Sequence, residues 1–112
     1  MDTDQIIIYQ DPDGHTSIDV RLKDENIWLT QGEMQKLFDQ TKQNISLHIN
    51  NIFKDGELRK DSVVKESLTA AADGKKYKTK YFSLDVIISV GYRVKSKRGT
   101  QFRIWANNVL KD

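Results

Sequence analysis

Residues 30–54, TQGEMQKLFDQTKQNISLHINNIFK, decide the fold that we predict for this chain. They begin with a capping box, in which the Thr30 hydroxyl accepts from the Glu33 N–H and the Glu33 carboxylate accepts from the Thr30 N–H. Apolar residues at helical spacing then predict one short helix that ends near Phe38 and a second helix with its N-cap at Thr41. Two helices joined by a short turn form a helix-turn-helix arrangement.

The second of these helices has a polar outer face. At about 100° per residue, Ile45, Ile49 and Ile52 cluster on its inner side. Base reading in the major groove of DNA is predicted for Gln43, Asn44, Leu47 and Asn50. Gln and Asn bond adenine in bidentate fashion, and a leucine contacts a thymine methyl. Short polar side chains near a helix N-terminus are also ordinary capping groups, so this spacing leaves both interpretations open.

Three positions depart from the usual helix-turn-helix pattern. Asp39 stands where Gly is common in the turn, and Gln40 stands where an apolar residue usually packs. Gln35 stands where a small residue is usual. These departures predict a helix pair that is packed less tightly than the motif usually is.

Short strands are predicted on both sides of the helix pair. Before it, Ile6–Tyr9, Ser17–Leu22 and Ile27–Leu29 are separated by turn residues and indicate a small antiparallel sheet. After it, residues 62–82 indicate a β-hairpin that turns at Asp73–Gly74, a dipeptide suited to a type I′ turn.

The returning strand of this hairpin alternates lysines with larger side chains. Tyr77, Thr79 and Tyr81 lie on one face, which we expect to be the aromatic inner face. The lysines lie on the other face, where they resemble the wing of a winged helix lying along a phosphate backbone. An edge strand that lysines protect from aggregation is the alternative. Phosphate contacts are predicted for Thr41, Lys42, Lys54, Lys76, Lys78, Lys80, Lys97 and Arg98.

Two helices complete the predicted architecture. Ser83 caps a helix that runs to about Val94, although its β-branched residues also suit a buried strand. A basic loop at residues 95–99 precedes a last helix, which starts near Thr100. The fold class is therefore α+β in a single domain, residues 1–112. It comprises a small N-terminal antiparallel sheet, a helix-turn-helix, a basic β-hairpin (winged-helix-like) and two C-terminal helices.

Charge is distributed unevenly along the chain. The formal net charge of +2 hides a charge of −5 on residues 1–56 and of +7 on residues 57–112. Between Lys75 and Arg103 there are nine basic residues and one acidic residue. This surplus favours an anionic partner whose binding weakens as salt rises. A solvated basic face is the alternative.

The composition excludes several kinds of site. The absence of cysteine excludes a disulfide, a thiolate nucleophile and a zinc ribbon. The two histidines, His15 and His48, cannot hold a metal without carboxylates. We expect no catalytic residue, no metal site and no cofactor, and hence a non-enzymatic protein. The longest apolar run, Val86–Ile88, is too short for a bilayer and no signal peptide begins the chain, which predicts a cytoplasmic protein without membrane contact.

The remaining conspicuous side chains are expected to be structural. Trp28 and Trp105 occupy apolar positions that predict the core. Tyr77 and Tyr81 are also expected in the core, with base stacking as the alternative. His48 flanks the inner face of the second helix and is expected to be half-buried.

Several blocks of the chain resemble a known family. These blocks are Trp28–Gln31, Thr41–Ile49, Ala72–Lys75, Tyr77–Tyr81, Leu84–Arg93 and Ser96–Ala106. They resemble the N-terminal domain of the RhuM family, often labelled virulence proteins, over nearly the whole chain. More distantly, the basic loop followed by Phe102 and Trp105 resembles the BRO-type N-terminal domain of phage antirepressors.

The resemblance implies a bacterial or mobile-element protein that acts in transcription regulation. It also implies DNA binding by analogy, with double-stranded DNA as the partner. Because no Gly or Pro ends the last helix before Asp112, we expect this chain to be the N-terminal fragment of a longer protein. The alternative function is a protein–protein interaction or dimerisation module without nucleic-acid affinity. In that case the exposed Leu47 and the last helix would dock a partner or a second copy of the chain, as a homo-oligomer.

Overall fold

The computed structural model describes residues 5–14, 16–70 and 72–111, apart from the Thr69 side chain, so His15 lies outside the described residues. The strands are β1 Gln5–Gln10, β2 Ser17–Lys23, β3 Asn26–Leu29, β4 Val64–Ala70 and β5 Lys76–Ser83. The helices are α1 Gln31–Phe38, α2 Lys42–Lys54, α3 Lys60–Val63, α4 Leu84–Val94 and α5 Lys97–Lys111. The predicted α+β class is confirmed, and the short helix α3 is an element that the sequence did not predict.

All five strands form one antiparallel sheet in the order β1-β2-β3-β5-β4. The link between its two parts is the pairing of β3 with β5, in which Trp28 faces Ser83 and Leu29 faces Phe82. The predicted N-terminal sheet and the predicted hairpin are therefore one continuous sheet. The separation of these strands along the chain explains why local patterns gave two groups, since this pairing is a tertiary contact.

The core lies between one face of the sheet and the helices. The sheet contributes alternate side chains to it, namely Tyr9, Ile18, Val20, Ile27, Leu29 and Phe82. The helices contribute Met34, Leu37, Phe38, Ile45, Ile49, Ile52, Leu84, Val86, Ile87, Val90, Phe102 and Ala106. Each large aliphatic or aromatic side chain buried in this way contributes about 1.5–3 kcal/mol. Helix α4 is buried on most of its surface, which explains why its sequence also suits a buried strand.

Side-chain caps fix the predicted helix pair. In the capping box of α1, the Thr30 N–H donates to Glu33 Oε1 at 2.7 Å and the Glu33 N–H donates to Thr30 Oγ1 at 3.2 Å. Thr41 caps α2 by accepting from the Asn44 N–H at 3.1 Å. Between the helices Asp39 takes left-handed φ and ψ angles of 54° each. Asp visits this region at a lower cost than most residues, so the turn forms without the usual glycine.

The prediction of a type I′ turn at Asp73–Gly74 is wrong. The type I′ geometry occurs at Asp24 and Glu25, with φ of 54° and 58°, because these two residues alone connect the paired β2 and β3. In the β4–β5 hairpin Ala70 pairs with Lys76, so five residues form the connection. Of its described residues, Gly74 has a positive φ and Asp73 does not. Asp73 Oδ1 instead accepts from the Lys75 N–H at 2.9 Å.

The last helix begins earlier than predicted. Helix α5 starts at Lys97, so the predicted basic loop is reduced to Lys95 and Ser96. Ser96 Oγ accepts from the Arg98 N–H at 3.1 Å, which satisfies a donor of the first turn. Lys97 and Arg98 are therefore helical residues.

Helices α4 and α5 approach each other closely at two glycines. A Cβ atom added at Gly99 would lie 3.2 Å from Gly91 Cα and 3.3 Å from Phe38 Cε1. Because one of these neighbours is backbone and the other is a buried ring, neither can move without disturbing the packing around it. The two glycines and Phe38 thus set the distance between α4, α5 and α1.

The substitution Gly99→Ala is expected to lower the free energy of unfolding by about 1–3 kcal/mol through overpacking. The matched control is Gly32→Ala in α1, where the nearest atom to an added Cβ is Thr30 Oγ1 at 3.9 Å. There the better helix propensity of Ala should raise stability by up to about 1 kcal/mol. Urea unfolding of both variants measures the difference, and equal midpoints would contradict the close-packing argument.

Candidate nucleic-acid interface

The outer face of α2 carries most of the predicted base-reading residues. Gln43, Leu47 and Asn50 are exposed, and 54% of the Leu47 surface is open to solvent. Asn44 is half-buried, and its Nδ2 donates to Gln40 Oε1. Three of the four candidates therefore face solvent, while Asn44 makes a contact within the helix-turn-helix.

Gln31 ties the start of α2 to the start of α1. Its Nε2 donates to the Lys42 carbonyl oxygen at 3.2 Å and to Ser46 Oγ at 2.5 Å. In the same helix, burial raises the pKa of Glu33, although the hydrogen bonds with Thr30 lower this pKa. The predicted phosphate contacts Thr41 and Lys42 are exposed at this end of the helix.

The other end of α2 is tied to α4. Arg93 Nη2 donates to Asp55 Oδ2 at 3.2 Å and to Glu57 Oε1 at 3.0 Å. Hydrogen bonds from Ser89 and then from Arg93 hold the pKa of Glu57 below its ordinary value. Lys54, predicted to contact phosphate, is exposed in the last turn. With both ends held, α2 presents its outer face in a fixed orientation.

The lysines of β5 lie on the same side of the sheet as the core. Phe82 is in the core, and the alternation along β5 places Lys80, Lys78 and Lys76 on its side. All three lysines are exposed, since this part of the hairpin extends past the packed helices. The predicted aromatic inner face is therefore wrong, because the tyrosines point to the opposite side. We call Lys76, Lys78 and Lys80 the lysine face.

The lysine face meets α2 at a groove. The groove is lined by Gln31, Ser46, Ile49, Asn50, Lys60, Val64, Lys80 and Phe82. A predicted base reader, Asn50, and a predicted phosphate contact, Lys80, therefore line the same groove. Lys60 adds a second cation, which the sequence did not single out. No periodic pattern marks it, because it begins the four-residue helix α3 between α2 and β4.

The aromatic candidates and His48 have mixed outcomes. Tyr77 is 49% exposed and its hydroxyl donates to Asp73 Oδ2 at 2.8 Å, so the prediction that it is a core residue is wrong. Tyr81 is half-buried on the same side of the sheet, outside the core. Trp105 is half-buried and packs edge-on against the core residue Tyr9, with ring centroids 5.0 Å apart. His48 is half-buried, as predicted.

The Arg98 side chain, predicted to contact phosphate, instead binds groups of the protein itself. Its Nη1 lies 3.5 Å from Asp11 Oδ2, and the Asp11 side chain is only 2% exposed. The same nitrogen donates to the carbonyl oxygens of Lys36 and Leu37 at the end of α1. Next to this pair, burial and then the charge of Asp11 raise the pKa of Tyr9 to about 12. Lys97, by contrast, is exposed at the start of α5.

The described residues offer groups for binding anions. Among residues 5–14, 16–70 and 72–111 there is no cluster of three or more His, Cys, Asp or Glu side chains that could hold a metal ion. Nor does this part of the chain contain a helix long and apolar enough to cross a membrane. Exposed lysines and amides can bind phosphates and base edges.

The second half of the chain matches a known family. The sequence model of the virulence protein RhuM family matches residues 62–112. This segment is similar to the RhuM family. The predicted resemblance is confirmed there, while no curated protein and no solved structure matches the chain. The likeness to the BRO-type domain stays a prediction.

The matched segment contains β4, β5, α4 and α5. Five of the predicted phosphate contacts fall in it, namely Lys76, Lys78, Lys80, Lys97 and Arg98. The base-reading candidates of α2 precede it. The groove at Asn50 and Lys80 is therefore formed jointly by matched and unmatched residues.

Replacing Arg98 tests whether this residue is structural. Arg98→Ala leaves the Asp11 carboxylate buried without its cation, and we expect a loss of about 3 kcal/mol in the free energy of unfolding. The control is its exposed neighbour, Lys97→Ala, which should change stability by less than about 0.5 kcal/mol. Thermal and denaturant unfolding compare the two. Equal stability of both variants would mean that Arg98 is not needed to compensate Asp11.

Proposed function

We propose that this chain is a non-enzymatic domain that binds double-stranded DNA, with α2 in the major groove and the lysine face on the phosphate backbone. The domain would act in the cytoplasm as part of a transcription regulator. The observation that carries the proposal is the groove that Asn50 of α2 and Lys80 of β5 line together. Base-edge and phosphate contacts must lie next to each other in any protein that reads DNA sequence.

The dimensions of α2 support this placement. Gln43, Leu47 and Asn50 follow an i, i+4, i+7 spacing on the exposed side. At 1.5 Å per residue they extend over about 10 Å of helix axis, which corresponds to about three base steps. A major groove about 12 Å wide admits a helix of this kind. The amides would bond adenine edges, and Leu47 would contact a thymine methyl.

The charge of the hairpin supports the proposed placement of the lysine face on the phosphate backbone. Lys76, Lys78 and Lys80 are spaced two residues apart on one face of a strand, which is about 6.6 Å. Successive phosphates along one DNA strand are separated by a similar distance, so adjacent lysines can contact adjacent phosphates. Lys60, at the groove, and Lys42 and Lys54, at the two ends of α2, add cations around the helix.

Reversing one charge on the lysine face tests the phosphate contacts. Lys78→Glu should weaken binding to all duplex sequences about equally and lower the slope of log K against log salt by about 1. The matched control is Lys111→Glu, the same charge change at an exposed position near the end of α5. Anisotropy titrations of a labelled duplex at several salt concentrations measure both quantities. Equal effects of the two variants would show that only net charge matters and would contradict contacts at the hairpin.

Truncating one outward amide of α2 tests base reading. Gln43→Ala should cost on the order of 1–3 kcal/mol on a preferred sequence and almost nothing on an unrelated duplex. Selection from a random duplex pool supplies the preferred sequence. The control is Gln5→Ala, an exposed glutamine on β1. A uniform loss on all duplexes, or a pool without enrichment, would count against base reading by α2.

A docking module is the second candidate, because apolar side chains are exposed on the helices. Leu47 is 54% exposed, Tyr92 is 69% exposed and Ile104 is 54% exposed. Such side chains could bind another protein or a second copy of the chain. Light scattering and duplex titration together decide between the candidates. A discrete dimer without duplex affinity favours docking, and a monomer with salt-dependent duplex affinity favours DNA binding.

A further inference from the structure

The side of the sheet opposite the core carries a second groove, which the proposed DNA contacts do not use. We call this side the open face. Its groove is lined by Arg21, Lys23, Trp28, Lys65, Glu66, Ser67 and Tyr81. The pairs Arg21–Trp28 and Lys65–Tyr81 are direct neighbours across strands, so four strands contribute to one surface.

Two aromatic rings in this groove each lie beneath a cation. The Arg21 guanidinium carbon is 4.5 Å from the centroid of the Tyr81 ring, and Lys65 Nζ is 4.7 Å from the centroid of Trp28. Trp28 is only 3% exposed although it is not part of the core cluster. Long basic side chains therefore contribute to covering it. Its Nε1 donates to the Lys23 carbonyl oxygen at 3.2 Å, which fixes the plane of the ring.

We propose that this groove binds single-stranded nucleic acid. Bases stack on aromatic rings and on the guanidinium planes of arginines, while nearby cations contact the phosphates. Arg21 and Tyr81 already form such a stack, which an unpaired base can extend. Lys65, which also lies 2.7 Å from Asp24 Oδ2, would move from Trp28 to a phosphate and uncover the indole.

The chemistry of the groove favours this occupant over an acidic peptide. Arg21, Lys23 and Lys65 give the groove a cationic character that would attract either polymer, even with Asp24 and Glu66 nearby. The Trp28 and Tyr81 rings can stack with flat bases, whereas an acidic peptide would use only the cations of the groove. This site is independent of the proposed duplex contacts, because α2 and the lysine face lie on the other side of the sheet.

Fluorescence of Trp28 reports occupation of the groove directly. In a Trp105→Phe background Trp28 is the only tryptophan of the chain. Titration with a single-stranded oligothymidine should quench its fluorescence in a saturable manner, because a thymine takes the place of the Lys65 ammonium. Saturated binding of a labelled oligothymidine without any change in Trp28 emission would overturn the proposal, as would the absence of binding at low salt.

Variants on the two faces separate this site from the duplex site. Tyr81→Leu should weaken oligothymidine binding about tenfold by removing one stacking ring. Lys65→Met keeps an apolar stem over Trp28 and removes the charge, so it should weaken binding and reduce its salt dependence. The matched control is Lys36→Met in α1, the same loss of charge at an exposed lysine outside both proposed sites, which should leave oligothymidine binding unchanged.

Two further results would overturn the proposal. One is an equal loss with Lys78→Glu and Lys65→Met, which would place the single strand on the lysine face. The other is displacement of oligothymidine by polyglutamate at equal charge concentration, which would make the groove a site for acidic peptides. Circular dichroism confirms that each variant is folded, and Lys65→Met serves alone if Tyr81→Leu is not. Neither result depends on whether the duplex is bound by α2.

Discussion

The pairing of β3 with β5 is the contact on which the rest of the structure depends. Leu29 faces Phe82 across these strands, and both side chains are buried. Through this pairing the hairpin continues the N-terminal sheet, and the helix pair that follows β3 packs against the same face as the helices that follow β5. The neighbouring positions of α2 and the lysine face result from it. Without it the polar helix and the basic strand would be separate surfaces.

The sequence predicted the elements of this fold well, because their signals are local. The Thr30–Glu33 capping box, the N-cap at Thr41 and the stripe of isoleucines on α2 each lie within a few residues, and all were confirmed. The sequence incorrectly predicted which face of the hairpin strand β5 lies on the side of the core. Alternation separates lysines from tyrosines, but only the pairing of Phe82 with Leu29 determines which set lies on the side of the core. Lys60 and Gln31 were missed because their roles arise from contacts between elements.

Charge shows the same contrast between sequence and structure. The surplus of bases in the second half of the chain suggested one anion-binding side, yet the structure divides these residues among several environments. Lys76, Lys78 and Lys80 are exposed on one side of the sheet, Lys65 lies over Trp28 on the other, and Arg98 pairs with a buried carboxylate. A count of basic residues cannot separate a cation that balances Asp11 from one that is available to a ligand. The burial of the carboxylate that a cation contacts distinguishes these two kinds of cation, since an uncompensated carboxylate in the interior is costly.

The contact of Gly91, Gly99 and Phe38 has a consequence for how such sequences diverge. These three residues belong to three different helices and share a space without room for one more methyl group. A larger side chain at either glycine would require α4 and α5 to move apart and the side chain at position 38 to become smaller, so the three positions are expected to covary. Relatives that keep both glycines should keep a large ring at position 38. Relatives that lose one glycine should carry a shorter side chain at position 38. The residues at these three positions would then indicate how closely α4 and α5 approach each other in each relative.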